Sequence, residues 1–150
     1  MTTTERELKV AFIYNFIRFT EWPELAGDTL TLCIRGSDPF GATLDSLQGK
    51  AVASRTLLVQ RRGNDSLKGC QAVFITTSAA MNSLTQVLAE LRGKPVLTIA
   101  DSLGGARQGV SLNMAVSLSK VTFEVNLQAA RAVQLKLNAQ LLRLATEVIQ

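Results

Sequence analysis

The spacing of apolar positions divides the chain into helical and extended stretches. Residues 5–20, ERELKVAFIYNFIRFT, place Leu8, Phe12, Phe16 and Phe19 four, four and three apart, with Ile13 and Ile17 widening the stripe. That period predicts an amphipathic helix, which Pro23 cannot continue and whose end Trp22 is expected to seal against the body of the protein. TLTLCIR at 29–35 alternates with Leu30, Leu32 and Ile34 on one face, a strand that Gly36 ends. Ser37-Asp38-Pro39-Phe40-Gly41 reads as a helix start, with Asp38 or Ser37 capping free amides and Pro39 in the first turn, and the helix is expected to run to about Leu47.

Further on, TLLV at 56–59 and AVFIT at 72–76 are short apolar runs bounded by polar residues, as buried strands are. Ser78 is the expected cap of a helix over 79–91, where Met81, Leu84, Val87, Leu88 and Leu91 recur at helical spacing before Gly93 and Pro95. PVLTIAD at 95–101 is apolar almost throughout, which suits a parallel strand covered on both faces. VSLNM at 110–114 and KVTFEVN at 120–126 alternate and are closely connected, which predicts a hairpin at the sheet edge. From 127 to 148, Ala130, Val133, Leu137, Leu141, Leu144 and Val148 keep helical spacing behind a cap at Asn126. A second line, Leu135, Leu142 and Ile149, is either deep core or part of an oligomer interface.

The strand–helix–strand order implies right-handed crossovers and one α/β domain over 1–150. Its expected form is a mainly parallel sheet flanked by helices, with a C-terminal hairpin and a terminal helix; no linker or repeat interrupts it.

Composition narrows the chemistry. The 150 residues are 47% hydrophobic and 19% charged, enough to bury a core and too apolar for disorder. No apolar run approaches the ~18 residues of a membrane span, and the polar opening 1–7 has no signal-peptide h-region, so a soluble chain is expected. There is no histidine, which removes Ser-His-Asp and Cys-His pairs, the imidazole base and His-containing zinc sites. Cys33 and Cys70 cannot fill a tetrahedral metal site by themselves, so they are one disulfide or two buried thiols. No cofactor or metal is expected. The net charge of +4 is scattered, with Arg61-Arg62 the one adjacent basic pair, and neither a concentrated basic face nor a nucleic-acid motif is visible.

Few positions suggest a site. The chain lacks GxGxxG and a complete Walker A loop, and 104–109, GGARQG, is read as a turn before it is read as an anion cradle. Asp38 and Asp101 follow strands and are read as a helix cap and the cap of a short turn, with two carboxylates facing one crevice as the alternative. Glu124, between Phe123 and Val125 in an alternating strand, should face away from them, exposed or paired. Arg18, beside Phe19 and four residues before Trp22, offers a cation among aromatics for packing or for an anionic ligand.

The motifs AFIYNFIRFTEWP, LCIRGSDPFGATLDSLQGK, CQAVFIT, PVLTIAD and VTFEVNLQAARAVQLKLNAQLLRLA follow one another in an order that resembles the YfiR family of periplasmic proteins, over roughly 9–145. The resemblance implies a regulator and no enzyme: an exported homodimer that represses a membrane-bound diguanylate cyclase by engaging its periplasmic sensor region. Met1 is then expected to head a mature form. The alternative is a small-molecule sensor without a cyclase client, using the crevice near Asp38 and Asp101. Cys33 and Cys70 fall where the family's first cysteine pair falls, and an oxidising periplasm would join them; no later pair is present. Arg18, Phe19 and Trp22, with Phe40 nearby, and Glu124 are the candidate partner- or ligand-binding residues.

Overall fold

A computed structural model describes residues 1–25 and 27–150, and for 77–83 the backbone alone. The first helix, α1 (Thr3–Arg18), starts at Thr2, whose hydroxyl accepts from the Glu5 amide, and buries Val10, Ile13, Phe16 and Ile17. Leu8 lies outside this face and is exposed, so the helix is turned toward the side that Ile13 and Ile17 widen. Phe12 and Phe16 meet Phe123, with ring centroids 5.8 and 4.9 Å away.

After α1 come β1 (Thr20–Glu21), β2 (Thr29–Arg35), α2 (Ala42–Asp45), β3 (Ala51–Val52), β4 (Arg55–Gly63), β5 (Ala72–Ile75), α3 (Thr77–Glu90), β6 (Leu97–Ala100) and α4 (Gly105–Gln108). The chain closes with β7 (Leu112–Ser117), β8 (Lys120–Asn126), α5 (Leu127–Ala132), β9 (Lys136–Leu137), α6 (Ala139–Leu144) and β10 (Glu147–Ile149). Eight strands form one sheet in the order β10-β8-β7-β6-β5-β2-β4-β3, mostly parallel, with antiparallel pairs at β7/β8 and β3/β4. The expected α/β class is therefore observed.

The central strands are buried on both faces because their residues alternate between two cores. Leu32, Ile34, Ala72, Phe74, Leu97 and Ile99 face the core that α1 covers. Cys33, Val73, Ile75 and Ala100 face the core of Leu84, Val87 and Leu91 on α3. This explains why these strands read as continuous apolar runs. The Thr77–Glu90 helix has Thr76 as its N-cap residue, two positions before the expected Ser78, which lies inside the first turn; the side chains of Ser78 and Met81 fall outside the described ones.

Four expectations are corrected locally. The 38–47 segment yields only the four-residue α2, because Gly41 takes φ +57 and the Asp38 carboxylate ties down the Phe40 and Gly41 amides (2.8 and 3.1 Å) in a turn. Asp101 is no turn cap toward solvent: its carboxylate meets the Lys9 ammonium of α1 at 2.8 Å, with both side chains about nine-tenths buried. The glycine-rich stretch expected as a turn contains the four-residue α4, where a Cβ on Gly105 would lie 2.6 Å from Asn113 Oδ1. The hairpin forms, turning through Leu118 and Ser119 at φ +51 and +65, but β10 pairs in parallel outside β8, so the hairpin is not the edge.

The largest difference is the terminal helix expected over 127–148. It starts as expected, with Asn126 Oδ1 accepting from the Ala129 amide, then stops after six residues. Gln134 turns left-handed at φ +65, its amide bonding Arg131 O and that of Leu135 bonding Ala130 O, each at 3.0 Å. These are the paired bonds of a Schellman ending, with Gln134 where glycine is usual. The break drops Leu135 into the core at 1% exposure, a burial of about 1.5–3 kcal/mol that outweighs the roughly 1–2 kcal/mol cost of the left-handed residue. Asn138 then caps α6, accepting from the Gln140 amide at 2.7 Å. The 135/142/149 line is thus split: Leu135 is core, Leu142 packs on it, and Ile149 belongs to β10.

Two stability measurements follow. Gln134→Gly relieves the left-handed turn and should raise stability by about 1 kcal/mol in urea unfolding; a loss would contradict the helix ending described. Lys9→Met takes the ammonium from a buried carboxylate and should cost about 3–5 kcal/mol, with Lys9→Met/Asp101→Leu recovering a good part of it.

Candidate functional site

The exit of α1 gathers the aromatic and basic residues. Phe19 ends the helix, its amide bonded to Asn15 O at 3.0 Å. The exposed Arg18 guanidinium lies 5.3 Å from the Tyr14 ring centroid and 5.7 Å from that of Phe19, and donates to Asn15 Oδ1 at 3.3 Å. This orders a cation over two rings while leaving it in reach of solvent.

The chain then pairs as β1 with β9, Thr20 opposite Leu137 and Glu21 opposite Lys136, and the Asn138 amide donates to Phe19 O at 2.9 Å. That pairing exists only because the terminal helix breaks. It carries Lys136, Leu137 and Asn138 against Arg18, Phe19 and Glu21 around a cavity of about 240 Å³. Lys136 and Asn138 were not legible as site residues; the helix-capping character of Asn138 inside an apparent helix was the available signal.

Trp22 is half-buried, and its Nε1–H donates to Gln71 O at 3.1 Å. With Leu25 it stands between two larger cavities. One, of about 500 Å³, adds Arg18, Glu21, Leu30, Val52 and Arg55. Arg55 donates to Leu25 O at 2.7 Å, and its Nε is buried without a hydrogen-bond partner. The other, of about 520 Å³, lies toward Cys70, Lys68 and Lys94. Both occupy the end of the sheet where the parallel strands begin, since Leu30, Gln71 and Val96 are at the starts of β2, β5 and β6.

The remaining candidates lie elsewhere. Phe40 is 1% exposed, stacked edge-on to Phe74 at 5.1 Å, and follows the carboxyl end of β2, the opposite end from Trp22. Glu124 is half-buried in β8, in register with Asn113 and Glu147. Asp38 is held by Arg61 Nε at 2.8 Å, and this bond, ahead of Asp45, raises the Arg61 guanidinium above its ordinary range. Asp38 and Asp101 thus each serve an ion pair, with Arg61 and with Lys9.

Cys33 of β2 and Cys70, just before β5, form a disulfide with Cα atoms 6.0 Å apart. It ties the 67–71 turn, one wall of the larger cavity, to the central strand. No helix among the described residues is long and apolar enough to cross a membrane.

These features define a disulfide-braced α/β domain with ligand-sized cavities at the amino ends of its strands. The chain belongs to the YfiR/HmsC-like family (DUF4154), whose model matches residues 6–146. Proteins of this family are periplasmic and regulatory, and the family's role is in diguanylate cyclase signalling. No curated protein matches the chain.

The disulfide spans 37 positions, for which the chain-entropy model gives about 4 kcal/mol of stabilisation. The denatured, unreduced protein should show no titratable thiol, and Cys33→Ala/Cys70→Ala should lose stability of about that size; two titratable thiols would refute the bridge.

Proposed function

We propose that this protein represses a membrane-bound diguanylate cyclase by binding the cyclase's periplasmic sensor region, as a homodimer in the periplasm. Family membership supports the reading. The observation that carries it to particular residues is the exposed Arg18 guanidinium held over Tyr14 and Phe19 next to Trp22. Ordered cation–aromatic groups of this kind are favoured as binding hot spots, being rich in Trp, Tyr and Arg and low in residual entropy. Repression needs no chemistry at this surface. It needs only that the chain bind the inactive state of the cyclase more tightly than the active one, and moving an equilibrium from 1:99 to 99:1 takes about 5.5 kcal/mol of that difference.

Within this reading Arg18, Phe19 and Trp22 form the contact surface. Phe40 acts from the core by holding the α2 turn, and Glu124 belongs to a separate face. A second reading, a sensor of small molecules without a cyclase client, is favoured by the cavity that Arg18, Arg55 and Trp22 share. Its place is then the amino ends of the strands and not the crevice near Asp38 and Asp101.

The test is co-purification of the chain with the isolated periplasmic region of a cyclase encoded beside it. Arg18→Ala should weaken the complex at least tenfold, about 1.4 kcal/mol, without lowering Tm. Phe40→Ala should instead lower stability by about 3–5 kcal/mol and weaken binding only through its folded fraction. Absence of any complex at tens of micromolar, on the order of weak specific binding, would remove the repressor reading.

A further inference from the structure

We propose that the cavity on the disulfide side of Trp22 binds a small amphiphilic organic anion, one carboxylate on an apolar body. Its volume, about 520 Å³, lies within the range of roughly 300–1,000 Å³ usual for small-molecule sites. Trp22, Leu25, Leu67, Cys70, Pro95 and Val96 supply apolar wall.

Several polar groups around it are already committed. Gln71 O takes the Trp22 indole N–H, Gln71 Oε1 takes the Thr31 amide, Gln71 Nε2 donates to Gly69 O, and Ser66 Oγ takes the Lys68 amide. Beside the Glu24 carboxylate, the charged ends left are those of Lys68 and Lys94. Both residues are exposed at the rim, and neither ammonium has an ion-pair partner among the described residues. Glu24 is the one acidic residue of the lining, so the rim carries a net single positive charge.

Two free ammoniums over an apolar wall select an anion that also has hydrophobic surface to bury. A bare inorganic anion would leave the wall wet, and a neutral apolar molecule would leave the lysines unused. Fatty and aromatic carboxylates share this chemistry. The site shares Trp22 and Leu25 with the cavity beside Arg18, while Lys68 and Lys94 line it alone.

The full chain is titrated calorimetrically with decanoate and with cinnamate, and the emission of Trp22, its single tryptophan, is followed in parallel. At least one acid should bind with a Kd on the order of 10–100 µM and shift the emission, and which one binds identifies the source. The corresponding neutral amide should bind at least tenfold more weakly. Lys68→Gln/Lys94→Gln should weaken the acid at least tenfold with Tm unchanged, and Arg18→Gln should leave it unaffected. The proposal is overturned if neither acid binds up to about 1 mM, if the amide binds as tightly, or if the double lysine variant keeps full affinity. Loss of binding in Arg18→Gln would also overturn it, by moving the ligand to the neighbouring cavity.

Discussion

Burial of the central strands on both faces constrains nearly everything else. In β2, β5 and β6 every residue but Thr29 is buried, so the apolar side chains enter one core or the other and the few polar ones inside are buried with them. Where a charge does remain inside, it is matched, as Lys9 is to Asp101 across the seam between α1 and the end of β6. The same pressure collects the aromatic–basic cluster and the cavities at the amino ends of the strands. There the connections from α1 to β2, from β4 to β5 and from α3 to β6 meet, with the cavities between them.

Trp22 organises that end. Its indole reaches across to Gln71, which itself bonds the start of β2 through the Thr31 amide, so one side chain links the α1 exit to two central strands. The disulfide fixes the turn on the far side. Between these two restraints the cavity walls are set by the fold itself, which is the arrangement a site needs if binding is to lose little to ordering.

Much of the fold was legible because buried parallel strands leave apolar runs that mean little else: 29–35, 72–76 and 95–101 contain β2, β5 and β6. The terminal helix was misread because the three-and-four spacing survives its interruption, and the left-handed Gln134 has no glycine to announce it. Arg18, Phe19 and Trp22 were visible as neighbours in sequence, and the structure keeps them together. Lys136, Asn138 and Arg55 were not, because a two-residue strand pairing and a long-range cavity bring them in. Asp101 looked like a cap since its partner lies 92 positions away, and Phe40, in a turn motif, gave no sign that the turn folds its ring inward onto Phe74.

The β7/β8 turn has a consequence for how the molecule assembles. Two-residue hairpin turns with both central residues left-handed favour Asn and Gly, and this one uses Leu118 and Ser119. Its local sequence therefore works against the turn, and the two strands draw their pairing from above and below, chiefly from Phe123 wedged against Phe12 and Phe16. The ribbon thus draws on α1 for order that its own turn residues do not supply, and the two antiparallel strands and the first helix are coupled through these three rings.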